Sequence, residues 1–194
     1  VSLEAFVSLV HKITQRGWSP ATGGNFGTVL NTNPLRIAIT PSGIDKSSLT
    51  QEQLITVDEN AELVSGNGKP SAETLLHVTI AQTWGGKVIL HTHTVWNTLA
   101  SLSAGPAFVI EGFEMVKALT GNSTHEHAEQ VPIVVNSQDM AVLSSAFRNA
   151  HQNYPSAHGV LIRGHGLYTW GQTNEEAWRH LEALEFLFEV LGRR

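Results

Sequence analysis

The chain has 194 residues, no cysteine and a net charge of −5, which excludes disulfides and thiolate metal sites and, without any Lys/Arg cluster, argues against nucleic acid as a partner. Apolar residues make up 41% of the chain and charged residues only 15%, against roughly 25% charged in typical soluble domains, a hint that some surface is covered by copies of the same chain. No apolar run approaches the ~18 residues of a membrane span. One domain over residues 1–194, in the cytoplasm, is the expectation.

In chain order, Leu3, Phe6, Val7, Val10 and Ile13 recur at helical spacing and Gly17 stands where such a helix would stop, so a helix is predicted over about 2–16 rather than a signal peptide. A glycine-rich turn, Thr22-Gly23-Gly24-Asn25, leads into short strand-like runs at Phe26–Leu30, Leu35–Thr40 and Leu54–Val57. Ser71 reads as the N-cap of a helix through Glu73, Leu76 and Ile80. Val88–Leu90 is a compact apolar strand running into His91-Thr92-His93, with a helix beginning near Thr94. Further strands are expected at Phe108–Ile110, Val131–Val135, Val160–Ile162 and Gly166–Trp170, and helices at Glu114–Leu119, Met140–Asn153 and Asn174–Leu191. Interspersed helices and strands without an internal repeat point to one layered α/β domain.

Ten histidines are too many for all to be ligands. If the strand Val88–Leu90 continues through His91 and His93, residues two apart share a face, giving two imidazoles at ligand spacing or two polar residues closing a strand. His165 lies between Gly164 and Gly166, where the backbone can bend sharply and approach closely. Three imidazoles with an open position is the pattern of a catalytic zinc site. His125-Glu126-His127 has the same spacing but sits in a polar stretch, and His77, four residues after Glu73, reads as a core or hydrogen-bonding residue.

Metal chemistry beside a carbonyl needs a proton carrier. Glu114 lies in an apolar stretch where its pKa would be raised, Glu73 opens a helix, and Glu111 is near; the residues alone leave the choice among the three open. Thr22–Asn25, Thr40-Pro41-Ser42-Gly43 and Ser71 each have the backbone and hydroxyl chemistry of an anion cradle, or of an ordinary turn.

Taken in order, Gly23-Gly24-Asn25, Thr40-Pro41-Ser42-Gly43, Lys69-Pro70-Ser71-Ala72-Glu73, His91-Thr92-His93 and Gly164-His165-Gly166 resemble the class II aldolase/adducin family, from about Trp18 to the C-terminus. Gly17-Trp18, Glu114-Met115-Val116-Lys117 and His165–Gly171 bring the chain nearest to the dehydratases of that family. The resemblance implies an α/β (α+β) three-layer fold, with a central, mostly antiparallel sheet flanked by helices, and a homotetramer with active sites near subunit contacts. It implies zinc on His91, His93 and His165, and contacts of a substrate phosphate with Asn25, Thr40, Ser42, Gly43 and Ser71, with Ala72 standing where aldolases often have a second serine. The acid/base glutamate of the dehydratases corresponds to Glu114 and that of the aldolases to Glu73. The implied reaction is dehydration of 5-methylthioribulose 1-phosphate to a 2,3-diketone phosphate in methionine salvage. The alternatives are a class II sugar-phosphate aldolase or epimerase sharing the zinc-enediolate chemistry, and a non-catalytic adducin-type binding module, which would be expected to lack the metal histidines.

Overall fold

The computed structural model describes residues 2–194. Nine strands form one sheet: β1 (Asn25–Thr32), β2 (Leu35–Ile39), β3 (Ile55–Val57), β4 (Leu63–Ser65), β5 (Val88–Thr92), β6 (Ala107–Ile110), β7 (Glu129–Val134), β8 (Gly159–Ile162) and β9 (Gly166–Gly171). Their spatial order is β4-β3-β2-β1-β5-β9-β8-β7-β6. All pairings are antiparallel except β7 with β8. Five α-helices cover it: α1 (Leu3–Gln15), α2 (Thr74–Thr83), α3 (Val95–Ser101), α4 (Met140–Asn153) and α5 (Asn174–Gly192). None is long and apolar enough to cross a membrane.

The alternation of strand side chains separates two cores. Val88 and Leu90 of β5 and Leu161 and Leu167 of β8 and β9 pack with Phe6, Val10, Leu184 and Phe188 of α1 and α5. Ile89, Val160, Ile162, Tyr168 and Trp170 point the other way, onto Leu76 and Ile80 of α2 and Phe147 of α4. The central strands are thus buried on both faces, which is why they read as continuous apolar runs. Each fully buried Leu, Ile or Phe stabilises the fold by roughly 1.5–3 kcal/mol.

Most predicted elements appear within a residue or two of their expected bounds. Strand β4 had no signature, because it is a three-residue edge strand whose side chains are all exposed. The segment at Glu114–Ala118 is a 3-10 helix rather than an α-helix. Ser71 is not the cap of α2. That helix starts at Thr74 with Glu73 at the N-cap position, and Ser71 Oγ accepts the Glu73 amide at 3.3 Å, closing the turn before it.

Candidate metal centre and active site

Strand β5 ends at Thr92, one residue before His93, yet the two histidines converge. Their Nε2 atoms are 2.8 Å apart. His165 comes from the turn between β8 and β9, which pairs with β5 and delivers its Nε2 to 3.3 Å from that of His91 and 3.0 Å from that of His93. Two glycines permit the approach. A Cβ at Gly166 would lie 2.3 Å from the Thr92 carbonyl oxygen, and one at Gly24, whose φ is +74°, would lie 2.4 Å from that of His91.

Three imidazole nitrogens facing one another cannot all be satisfied by shared protons. His91 Nδ1 donates to the Leu167 carbonyl at 3.0 Å, so its Nε2 is left as a bare lone pair. Ligand distances of about 2.0–2.1 Å around a tetrahedral ion give nitrogen separations of about 3.3–3.4 Å, close to the 2.8–3.3 Å observed. These three side chains form a potential metal-binding group, whereas His125 and His127 belong to no such cluster among the described residues. The donor set fits a metal ion. Burial, then repulsion from His91 and His165, pushes His93 down to about 3, which favours the neutral ligand form.

Glu73 closes the constellation. Its Oε1 lies 3.1 Å from His165 Nε2 and 3.6 Å from His91 Nε2. Burial would raise its carboxyl, but the neighbouring His165 and His91 imidazoles, through contact and charge together, outweigh burial and hold it below the usual carboxylate range. Its other oxygen accepts from Asn25 Nδ2 at 2.7 Å. The Asn25 amide is in turn oriented by His77, whose Nε2 bonds Asn25 Oδ1. His77 is fully buried and pushed down to about 3, first by burial and then by the neighbouring His91. A neutral His77 donating from Nε2 leaves the Asn25 amide only one useful orientation, with its NH2 toward Glu73. Tyr168 backs the site, its ring stacked on His91 at 4.0 Å and 8°.

Beside the histidines is a cavity of about 240 Å³, lined by Gly23, Asn25, Ser42, Gly43, Ser71, Glu73 and His93 among others. The structure thus brings together the separate anion-cradle segments with one end of the histidine cluster. Thr40 is the exception: it is fully buried, and its Oγ1 accepts the Phe26 amide at 3.1 Å, so it latches β1 instead of facing the cavity.

Glu114 departs from expectation. Its side chain is 72% exposed rather than buried among apolar neighbours, and it pairs with Lys117 and lies 3.8 Å from His125. The Lys117 hydrogen bond and charge lower its pKa instead of raising it. Among the described residues, none of its polar contacts within the protomer reaches His91, His93 or His165.

Two residues around the site, Lys46 and Glu185, escaped the sequence reading. Lys46, 3% exposed, lines the cavity. His77, read as a core or hydrogen-bonding residue, is both, although nothing in the sequence named Asn25 as its partner. Glu185 of α5 is buried and accepts from Thr94 Oγ1 at 2.7 Å and Asn97 Nδ2 at 2.8 Å, bracing the start of α3 directly after His93. Burial pushes Glu185 up to about 7 against the hydrogen bonds from Thr94 and Asn97. Only Glu185 left a local signal: a carboxylate within the apolar run Leu181, Leu184, Leu187 and Phe188.

The model of the Class II Aldolase and Adducin N-terminal domain matches residues 4–191. The chain belongs to the class II aldolase/adducin family. Within it, the chain is 43% identical to a methylthioribulose-1-phosphate dehydratase of Marinobacter nauticus over 90% of its own length and 85% of that protein. Identity is again 43% to the enzyme of that name from Pectobacterium atrosepticum, covering 99% of this chain and 94% of the other. The fold matches that of L-fuculose-1-phosphate aldolase from Thermus thermophilus with a TM-score of 0.76 over 97% of this chain and 93% of that one, at 22% identity. The class II aldolase fold is therefore as expected from the motifs.

Proposed function

We propose that this protein is a zinc-dependent hydro-lyase that converts 5-methylthioribulose 1-phosphate to 2,3-diketo-5-methylthiopentyl 1-phosphate in methionine salvage, working in the cytoplasm as a homotetramer. Similarity to methylthioribulose-1-phosphate dehydratases over nearly the whole chain supports the substrate. The observation that carries the chemistry is the convergence of His91, His93 and His165 Nε2 beside the Glu73 carboxylate. Three imidazoles suit zinc better than magnesium or calcium.

His91, His93 and His165 would hold the ion, which when bound supplies Lewis acidity at the substrate carbonyl and charge stabilisation as an enediolate develops. Glu73 Oε1, beside the histidines, takes the proton from C3. Asn25, held by His77, keeps Glu73 aimed. The C4–O bond then breaks, and the departing hydroxyl leaves as water after taking a proton from an acid. The resulting enol tautomerises to the diketone. Glu114, paired with Lys117 on the surface of its own protomer, fills the acid role by reaching the site of a neighbouring copy, where, away from Lys117 and protonated from solvent, it gives its proton to the departing hydroxyl. Ser42, Gly43 and Ser71 receive the phosphate.

Metal content and turnover, measured together on the wild type and His93→Ala, test this reading. About one zinc per chain, lost with diketone formation in the variant, is the expected outcome. Zinc with cleavage to an aldehyde and a triose phosphate identifies an aldolase instead, and absence of metal from both proteins overturns the proposal.

A further inference from the structure

Lys46 is an anomaly in this fold. Lysines are almost never fully buried unless paired, yet Lys46 is 3% exposed and makes no ion pair among the described residues. Its one hydrogen bond runs from Nζ to the Thr22 carbonyl, leaving two of its three N–H donors without a protein acceptor. The adjacent carboxylate, Asp45, is turned away and accepts the Ser47 amide at 2.9 Å. Burial lowers the Lys46 pKa, with Asp45 and Glu73 acting on it only through their charge. The side chain lines the cavity that also holds the Ser42 and Ser71 hydroxyls and the Gly43 backbone. Ser71 Oγ already accepts the Glu73 amide, so its hydroxyl hydrogen is free to donate into the same space. The carboxylate that shares the cavity, Glu73, is engaged at the other end with Asn25 and the histidines.

From this geometry we infer that Lys46 is the cation that binds the substrate's phosphate, and that it makes the enzyme selective for ketoses phosphorylated on the carbon next to the reacting carbonyl. The cavity is completed by a dianion: unpaired lysine donors and serine hydroxyls converge on one space. His93 and Glu73 border that space, so a phosphate held there lies beside the metal-binding histidines. A phosphate on C1 is one carbon from a C2 carbonyl and reaches both at once, whereas a phosphate at the far end of a pentulose does not. The inference rests on the sugar-phosphate reading given above and assigns a residue within it.

The test uses the full-length protein with carbon-13 at the lysine ε positions, titrated with inorganic phosphate. The chain has five lysines, and the Lys46 signal is expected to shift while the other four stay in place. In parallel, Lys46→Met is compared with wild type using 5-methylthioribulose 1-phosphate and its unphosphorylated analogue. Loss of a charge-assisted hydrogen bond predicts a KM for the phosphorylated substrate about 10- to 150-fold higher, little change in kcat, and no further penalty with the analogue. A Lys46 signal unmoved by saturating phosphate, or an unchanged KM in Lys46→Met, overturns the assignment. If the variant does not fold, the titration of the wild type decides alone. Dehydration of the substrate with no Lys46 response sinks this inference and spares the proposed function; a Lys46 response without any turnover of the substrate does the reverse.

Discussion

Replacing Gly166 by alanine tests how the candidate metal centre is built without touching any of its three histidines. Gly166 has no positive φ, so alanine suits its backbone and only the contact matters. The new Cβ would meet the Thr92 carbonyl oxygen at 2.3 Å, His93 Cδ2 at 3.0 Å and His91 Cε1 at 3.2 Å, where ordinary contact begins at 3.4 Å. Relieving the first contact means a retreat of about 1.1 Å (3.4 less 2.3) between β5 and β9, and His165 sits one residue before the substituted position. Metal ligands tolerate departures of only about 0.2 Å, so one imidazole is pulled out of register with the other two. We expect zinc affinity, read by competition with a chelating indicator, to fall by at least about 10- to 100-fold, the range seen when a ligand loses its support. Strain in a close-packed sheet should cost about 1–3 kcal/mol, or about 2–12 °C in Tm for a chain of this size. Wild-type zinc affinity together with an unchanged melting curve would show that the close approach of β9 to β5 does not set the ligand geometry.

Three other predictions follow from the same framework. His77→Phe should leave metal content intact yet lower kcat by about 10- to 100-fold, because Asn25 loses its orientation and Glu73 its aim; a kcat within twofold of wild type would exclude the relay. Glu114→Gln should keep its zinc while losing about 10²- to 10⁴-fold in turnover, as for loss of a general acid; mixed oligomers of Glu114→Gln and His93→Ala chains should regain activity if the acid acts across a subunit boundary. Glu185 has a folded pKa of about 7, raised above the ordinary 4.5, so its contribution to stability is fully present below pH 4.5 and lost as pH rises through 7. A shift of that size corresponds to about 3 kcal/mol, and Glu185→Gln should flatten the fall in stability across this window. Parallel stability-pH curves for the two proteins would mean that Glu185 does not titrate there.

Much of this molecule was legible in the chain itself. Helical spacing in Leu3–Ile13 placed α1, the apolar run Val88–Leu90 placed a doubly buried β5, and His91, His93 and the glycine-flanked His165 marked the cluster that could hold a metal ion. Such features are local: side-chain period reports secondary structure, and glycine reports a backbone that must bend or be approached. Edge strand β4, exposed throughout, left no such trace.

What the sequence by itself determined, then, was the set of elements, the family motifs and the histidines. Only the tertiary structure placed the glutamates, bringing Glu73 against His165 and leaving Glu114 on the protomer surface. It alone turned Thr40 inward, linked His77 to Asn25 and left Lys46 buried without an ion pair among the described residues. The reason is physical. A side chain's burial and partners depend on which distant strand or turn packs against it, and that pairing follows from the closure of the whole sheet rather than from any local period.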